Sequence, residues 1–376
     1  MISEFKMKRI LIFVLTAFFV FLMIFSSAES VYAAEEAESE IDEISQQVND
    51  IMEDYNINFT IDDVEDLSLE NLSDSLKESI ISRVTAPFKL FGILILIIIF
   101  SAFIQNLSDT TLKSRNNDNI FRLVYTVSAI TIISKPLLTS FENASDSLKN
   151  GGEFMLLFIP LFAGIALFSG GVTTIGAYNA ITIAASQLLV QISQHIFMPI
   201  LGITCAAAII NSIYSNDTID SLIKSVHKII IWIFTLLTTL LTGFLTLKAS
   251  VSTVADTFAT KGAKFVISGF VPVIGSAVSD AYSTVKGSLA VVKCTTGMAG
   301  VIAIVILLLP PLAELFAYRV VIMIGNAVAD VFSVKPLSRL LKSIGTGISI
   351  ATSIMISFSL LFIISTAIVM KTSSGG

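Results

Sequence analysis

The apolar stretches of this sequence contain few ionisable side chains that could take part in chemistry. They are Asp280, Glu314, Arg319 and Asp330. A charge at mid-membrane costs about 2.5–3.5 kcal/mol on insertion scales, so such a residue usually faces a bundle interior or an aqueous path. Glu314 and Arg319 are five residues apart and do not share a helix face, so we predict that they pair with other helices. The alternative is that they lie at the membrane surface.

A second candidate site is the segment 265–288, which Gly269, Pro272 and Gly275 are predicted to break. Wound as a helix from Val273, this segment has one polar side. That side carries Ser276, Ser279, Asp280, Ser283, Lys286 and Gly287. Two interpretations are open. The face lines a polar conduit, or it is an ordinary amphipathic surface that lies at the membrane surface or packs against a neighbour.

Motifs of known enzyme chemistry are missing from the sequence. There is no phosphate-binding loop, no metal-binding pair of histidines and no nucleophile-elbow serine. His195 and His227 lie near opposite ends of apolar runs, and Cys205 and Cys294 do not have metal-ligand spacing. We therefore expect no catalytic residues, no metal, no cofactor and no enzymatic function.

The composition is that of an integral membrane protein. Of 376 residues, 54% are hydrophobic and 14% are charged, against about 45–50% and about 25% in soluble domains. The charge is also unevenly distributed. Residues 35–86 carry sixteen acidic and two basic side chains, whereas residues 87–376 carry eleven acidic and eighteen basic ones. The sequence thus predicts an acidic head followed by a mildly basic membrane domain.

Residues 1–33 are predicted to be a secretory signal peptide, with a basic start, an apolar run and small residues before an acidic sequence. An uncleaved membrane anchor is the alternative. Both place residues 34–86, the acidic head, outside the cytoplasm. One helical stripe in this head has the spacing of a surface that seeks a partner helix. It consists of Ile41, Ile44, Val48, Ile51 and Tyr55.

Residues 87–376 are predicted to form a multi-span membrane domain. We expect seven to nine spans and favour eight, because about 20 apolar residues cross a bilayer. The Lys113/Arg115 loop and the Lys335/Arg339/Lys342 loop should be cytoplasmic. The predicted apolar runs are Phe88–Phe103, Ile120–Phe141, Phe154–Phe168, 177–213, Ile229–Leu247, Ala290–Leu309, Leu312–Ala329 and Ile344–Met370. A tight hairpin is expected at Pro310-Pro311. The fold class is therefore all-α, a polytopic helical bundle with a small extracytoplasmic helical region.

The whole layout resembles the stage III sporulation protein AE family of endospore-forming Firmicutes. The most specific part of the resemblance is the segment Gly269-Phe-Val-Pro-Val-Ile-Gly-Ser-Ala-Val-Ser-Asp-Ala-Tyr, which continues into Val291-Val-Lys-Cys-Thr-Thr-Gly297. The family offers no established catalytic residues. The resemblance implies a membrane subunit of the secretion-like channel complex that joins mother cell and forespore, needed for forespore development after engulfment.

The resemblance also implies where the protein lies and what it contacts. The expected partners are the lipid bilayer, the other membrane proteins of the stage III sporulation A complex, its cytoplasmic ATPase and its intermembrane ring proteins. We expect no nucleic acid. The expected location is the mother-cell-derived outer forespore membrane, with the head in the intermembrane space. A stand-alone secondary transporter and a membrane scaffold without a pore remain as alternative functions.

Overall fold

The computed structural model describes the backbone of residues 69–111, 115–168, 172–192, 217–270 and 275–372, with isolated positions between 195 and 210. The side chains of 69–75, 106–122 and 248–286 lie outside the description. The described segments are all helical. They are α1 (Leu69–Thr111), α2 (Arg115–Phe168), α3 (Val172–Ile192), α4 (Asp217–Phe270), α5 (Gly275–Val331) and α6 (Lys335–Thr372).

Five helices of the described part are long and apolar enough to cross a membrane. Their candidate spans are Leu76–Gln105, Leu123–Leu167, Ser221–Leu247, Gly287–Val331 and Lys335–Lys371. The protein is thus a polytopic bundle of α-helices, as predicted. The predicted number of eight spans is not confirmed, because α2 and α5 each contain two of the apolar runs that the sequence predicts as separate spans.

The predicted hairpin at Pro310-Pro311 is wrong, because α5 continues through both prolines. Each proline removes a backbone donor and crowds the preceding turn, which bends a helix but need not end it where neighbouring helices cover the freed carbonyls. Both prolines are buried in the bundle. The runs 120–141 and 154–168 are likewise joined, in α2. Between them, the buried Phe141, Ala144 and Leu148 keep helical spacing and hold the segment against the core.

The reversal of the chain instead lies between α5 and α6, at Phe332–Val334. Ser333 has a φ of 60°, its N–H donates to the Asp330 carbonyl at 3.0 Å, and the Val334 N–H donates to the Ala329 carbonyl at 2.9 Å. This is the hydrogen-bond pattern of a Schellman cap. Pro336 lies in the first turn of α6, where its missing N–H costs nothing.

Helix α5 is the centre of the bundle and contacts α1, α2, α4 and α6. Its contacts with α1 advance in the same direction along both helices, from the Arg83–Glu314 pair to the place where Leu94 lies against Gly325. The two helices are therefore parallel. Consequently, the end of α1 and the α5–α6 turn lie at the same end of the bundle.

Helices α2 and α6 run antiparallel to α5. Asn143 of α2 reaches Glu314, and further along α2, Phe158 lies against Gly300. A side chain on Gly300 would overlap the Phe158 ring, so only a glycine permits this approach. Phe154, Phe158 and Phe162 stack along α2 with centroid separations of 5.3 and 5.7 Å. This aromatic column, α5 and α6 form the core.

Candidate functional site

Two buried charges lie on the central helix α5. Lys293 is 1% exposed and Glu314 is 5% exposed. They are 21 residues apart in the sequence, which is about 31 Å along an α-helix and close to the thickness of a bilayer core. Burying a charge is costly unless it is paired or hydrogen-bonded, so we identify the partners of each of these two side chains.

Glu314 is bound by side chains from two other helices. Arg83 of α1 places Nη1 3.5 Å from Oε2 of Glu314, and Asn143 of α2 donates from Nδ2 to the same oxygen at 3.4 Å. The Arg83 side chain is 38% exposed and that of Glu314 is 7% exposed. A single carboxylate therefore holds three helices together, and one partner, Arg83, is partly exposed on the surface of the bundle.

Arg319, one turn and a half further along α5, points to α6. Its Nη1 donates to the Gly345 carbonyl at 3.3 Å. Asp330 lies near the α5–α6 turn and accepts hydrogen bonds from Ser338 of α6 and from Asn326. Glu314, Arg319 and Asp330 thus bind three different sets of partners. They do not converge on one point at which a reaction would take place.

Lys293 lies toward the end of the bundle opposite the α5–α6 turn, and its ammonium group contacts a backbone carbonyl. Its Nζ donates to the Val369 carbonyl at 3.0 Å. Val369 lies in the last turn of α6. An ammonium group at this place is favoured by the partial negative charge of a helix C-terminus.

The surroundings of Lys293 are closely packed and contain further polar contacts. Tyr178 of α3 lies 3.5 Å, hydroxyl to hydroxyl, from Thr366 of α6, and its ring meets that of Phe162 edge-on at 5.8 Å. A Cβ on Gly297 would come within 2.7 Å of Met370. The cation is therefore enclosed where α2, α3, α5 and α6 meet.

Lys293 was not among the predicted site residues, although the polar side of the helix wound from Val273 extends as far as Lys293 in the sequence. The signal that could have singled it out is a lysine at the start of an apolar run, seven residues after Lys286 and on the same helical side. Arg83 and Asn143 carried no such signal, because their partner Glu314 is distant in the sequence.

The other predicted site residues are only partly covered by the structure. Gly287 is exposed, with open space around its Cα. The side chains of Ser276, Ser279, Asp280, Ser283 and Lys286 lie outside the described residues, although their backbone belongs to α5. Residues 271–274, where the segment 265–288 was predicted to break, and the stripe Ile41, Ile44, Val48, Ile51 and Tyr55 are also outside. The conduit and packing interpretations therefore both stay predictions.

No metal-binding cluster of three or more His, Cys, Asp or Glu residues occurs within the described part of the chain. His195 is exposed, and its Nδ1 lies 3.1 Å from the carbonyl of Gln191 in the preceding turn. The described charges of the bundle hold helices together, and this is the role that their geometry supports.

Comparison with known proteins gives a consistent result over nearly the whole chain. The sequence profile of the family described as stage III sporulation protein AE matches residues 52–373. Stage III sporulation protein AE of Bacillus subtilis (strain 168) is 22% identical over 358 residues, which are 93% of this chain and 90% of that protein. No solved structure matches. Because the family profile covers far more than half of the sequence, the chain belongs to the stage III sporulation protein AE family.

Proposed function

We propose that this protein is a membrane subunit of the secretion-like channel complex that joins mother cell and forespore and supports forespore development after engulfment. Membership of a sporulation family over residues 52–373 is the observation that carries the proposal. The polytopic helical bundle agrees with a subunit embedded in a membrane. In this proposal, the protein has no reaction of its own, and its partners supply energy and the intermembrane ring.

The proposed location is the mother-cell-derived outer forespore membrane, with the acidic head in the intermembrane space. One feature of the bundle supports the orientation. The end of α1 and the α5–α6 turn lie at the same end of the bundle, and a basic residue follows each of them. Arg115 follows the end of α1, and Lys335 follows the turn. The positive-inside rule places such ends in the cytoplasm. The start of α1, with the head before it, is then extracytoplasmic.

The proposed partners are the other membrane proteins of the complex, the cytoplasmic ATPase and the intermembrane ring proteins. Two faces are proposed to contact them. The stripe Ile41–Tyr55 of the head would meet a helix of a partner. The face from Ser276 to Gly287 would meet a subunit or line a conduit.

The test is purification of the tagged chain from sporulating cells in mild detergent, followed by identification of bound proteins. We expect recovery of the membrane subunits, the ATPase and the ring proteins, and a reduced ring fraction for Ile44→Asp and Ile51→Asp variants. An equivalent Lys342→Glu change on the opposite side of the membrane should leave the ring fraction unchanged. A chain that purifies alone and moves a solute in proteoliposomes would instead identify a stand-alone transporter.

The conduit and the packing face are separated by cysteine accessibility at Ser279 and Ser283, after Cys205 and Cys294 have been replaced. Labelling by a membrane-impermeant thiol reagent that persists in the assembled complex favours a water-filled path. Labelling that is lost when the partners are present favours a subunit-binding surface, as in a scaffold without a pore. Protection in both states favours packing within the bundle.

A further inference from the structure

The beginning of α1 is attached to the bundle less firmly than the rest of that helix. We call residues 69–86 the N-terminal arm. Between Leu76 and Ala86, the described side chains are at most half-buried, and Ile81 is 65% exposed. Beyond Pro87 the pattern changes, because Leu90, Leu94, Ile98 and Ala102 are all buried. The arm therefore lies on the surface of the bundle, whereas the part of α1 from Leu90 to Ala102 buries one face in it.

The boundary between these two parts has a local cause. Pro87 lies inside α1 and has no N–H to donate to the carbonyl of Arg83, four residues earlier. Sharp bends of long helices occur at such prolines. The arm can thus change its angle at Pro87 without loss of a backbone hydrogen bond that the rest of the helix needs.

The arm is held to the bundle by an ion pair at this same turn. Arg83 contacts Glu314 on the central helix at 3.5 Å, and Asn143 contacts the same carboxylate oxygen at 3.4 Å. If the arm moves away, Arg83 moves with it, and its side chain is already 38% exposed on the surface of the bundle. Glu314 then keeps its contact with the neutral Asn143 but loses its contact with the cation. The charge of Glu314 on α5 is therefore paired in one position of the arm and unpaired in the other.

We propose that the Arg83–Glu314 pair is a releasable contact, with Pro87 as the hinge, that couples the position of the N-terminal arm to the central helix. The rest of the acidic head, residues 34–68, directly precedes the arm in the sequence. Anything that binds the head better when the arm is displaced therefore also removes the cation from Glu314, and the coupling is reciprocal. This inference concerns motion within the chain and does not depend on the proposed complex.

The test measures the distance between the arm and the bundle in the full-length protein in lipid nanodiscs. Spin labels are placed at Glu78 of the arm and Asn150 of α2, both exposed, after Cys205 and Cys294 have been replaced. Glu78 is about 14 Å along the helix from Pro87. We expect one narrow distance in the parent protein, and a shift of about 5 Å or more, or a clear broadening, in Arg83→Glu, because bends at prolines exceed about 20°.

The charge-swapped variant Arg83→Glu/Glu314→Arg should restore the narrow distance, since it rebuilds the pair in reverse. Lys149→Glu, which breaks an exposed pair with Glu153, is the matched control and should leave the distance unchanged. Labels at Asn150 and Met323, both within the bundle, should not move in any variant. If Arg83→Glu does not fold, Arg83→Gln removes the cation without adding a carboxylate. An unchanged arm distance in the folded variant, or no restoration by the swap, would overturn the inference.

Discussion

Lys293 and Glu314 lie on one helix and have their charges satisfied in different ways. Lys293 binds a backbone carbonyl at the end of α6 and is 1% exposed. Glu314 binds two side chains, one of which is partly exposed. A backbone carbonyl at a close-packed junction cannot move away without moving its helix, whereas a side chain at an open junction can change its rotamer. We therefore expect the bundle to be rigid around Lys293 and able to rearrange around Glu314.

The largest effect should come from overfilling the close-packed end. In Gly300→Val, the new side chain overlaps the Phe158 ring, which is itself fixed between Phe154 and Phe162. We expect a loss of about 3 kcal/mol in the free energy of unfolding, or failure to fold. Denaturation in detergent, monitored by circular dichroism, measures it. Gly164→Ala is the control, because nothing lies within 4 Å of its added Cβ. Equal stability of the two variants would contradict close packing here.

Removing the cation at the same end should have the next largest effect. Lys293→Met keeps the approximate length of the side chain but removes the charged hydrogen bond to the Val369 carbonyl. We expect destabilisation by about 2 kcal/mol, a value typical of a hydrogen bond to a charged group. The same denaturation experiment measures it, with Lys342→Met at an exposed position of α6 as the control. A variant as stable as the parent protein would show that the close-packed end does not need this contact.

At the open end, the two halves of the ion pair should contribute unequally. Arg83→Gln leaves the buried Glu314 without a cation, so we expect a loss of about 1–2 kcal/mol, below the full cost for a buried pair because Arg83 is partly exposed. Glu314→Gln removes the buried charge and leaves only the partly exposed Arg83 without its partner, so it should cost about 1 kcal/mol or less. A double-mutant cycle on unfolding free energies gives the coupling. The reverse order of the two single effects would contradict the assignment of Glu314 as the buried partner.

The smallest effect should come from the exposed pair of Lys149 and Glu153, whose charged atoms are 3.9 Å apart on α2. We expect Lys149→Ala to change the free energy of unfolding by no more than about 0.5 kcal/mol. This value sets the baseline against which the other ion pair is judged. A larger loss would mean that this face of α2 is covered in the folded protein.

Much of the architecture could be predicted from residue types, but the connections between spans could not. The apolar runs identified a polytopic helical bundle, and Glu314 and Arg319 were found because they are charges inside such runs. Pro310-Pro311 was misleading, since a proline pair ends helices in water but is tolerated where the bundle covers it. The charged stretch 142–153 hid the continuity of α2. Its buried residues nevertheless had helical spacing in the sequence.

The partners of the buried charges were out of reach of sequence reasoning for a different reason. The contact between Asn143 and Glu314 joins positions 171 residues apart, and that between Lys293 and Val369 joins positions 76 residues apart. No local pattern encodes either one. A connection between Ala329 and Ile344 was predicted, but not its form. The predicted loop of Lys335, Arg339 and Lys342 is wrong, because these residues belong to α6, and the turn is confined to Phe332–Val334, where a serine holds a backbone conformation that glycine usually adopts at helix ends.

The parallel packing of α1 on α5 has a consequence for biosynthesis. Arg83 precedes Glu314 by 231 residues, and ribosomes add about 5–20 residues per second. The first helix therefore waits in the membrane for on the order of ten seconds or longer before its docking site has been made. During that time, helices α2, α3 and α4 are made. The first of the described helices can contact α2 early, but it cannot complete its packing until α5 is present, and a chaperone or insertase that shields its apolar surface would act during this interval.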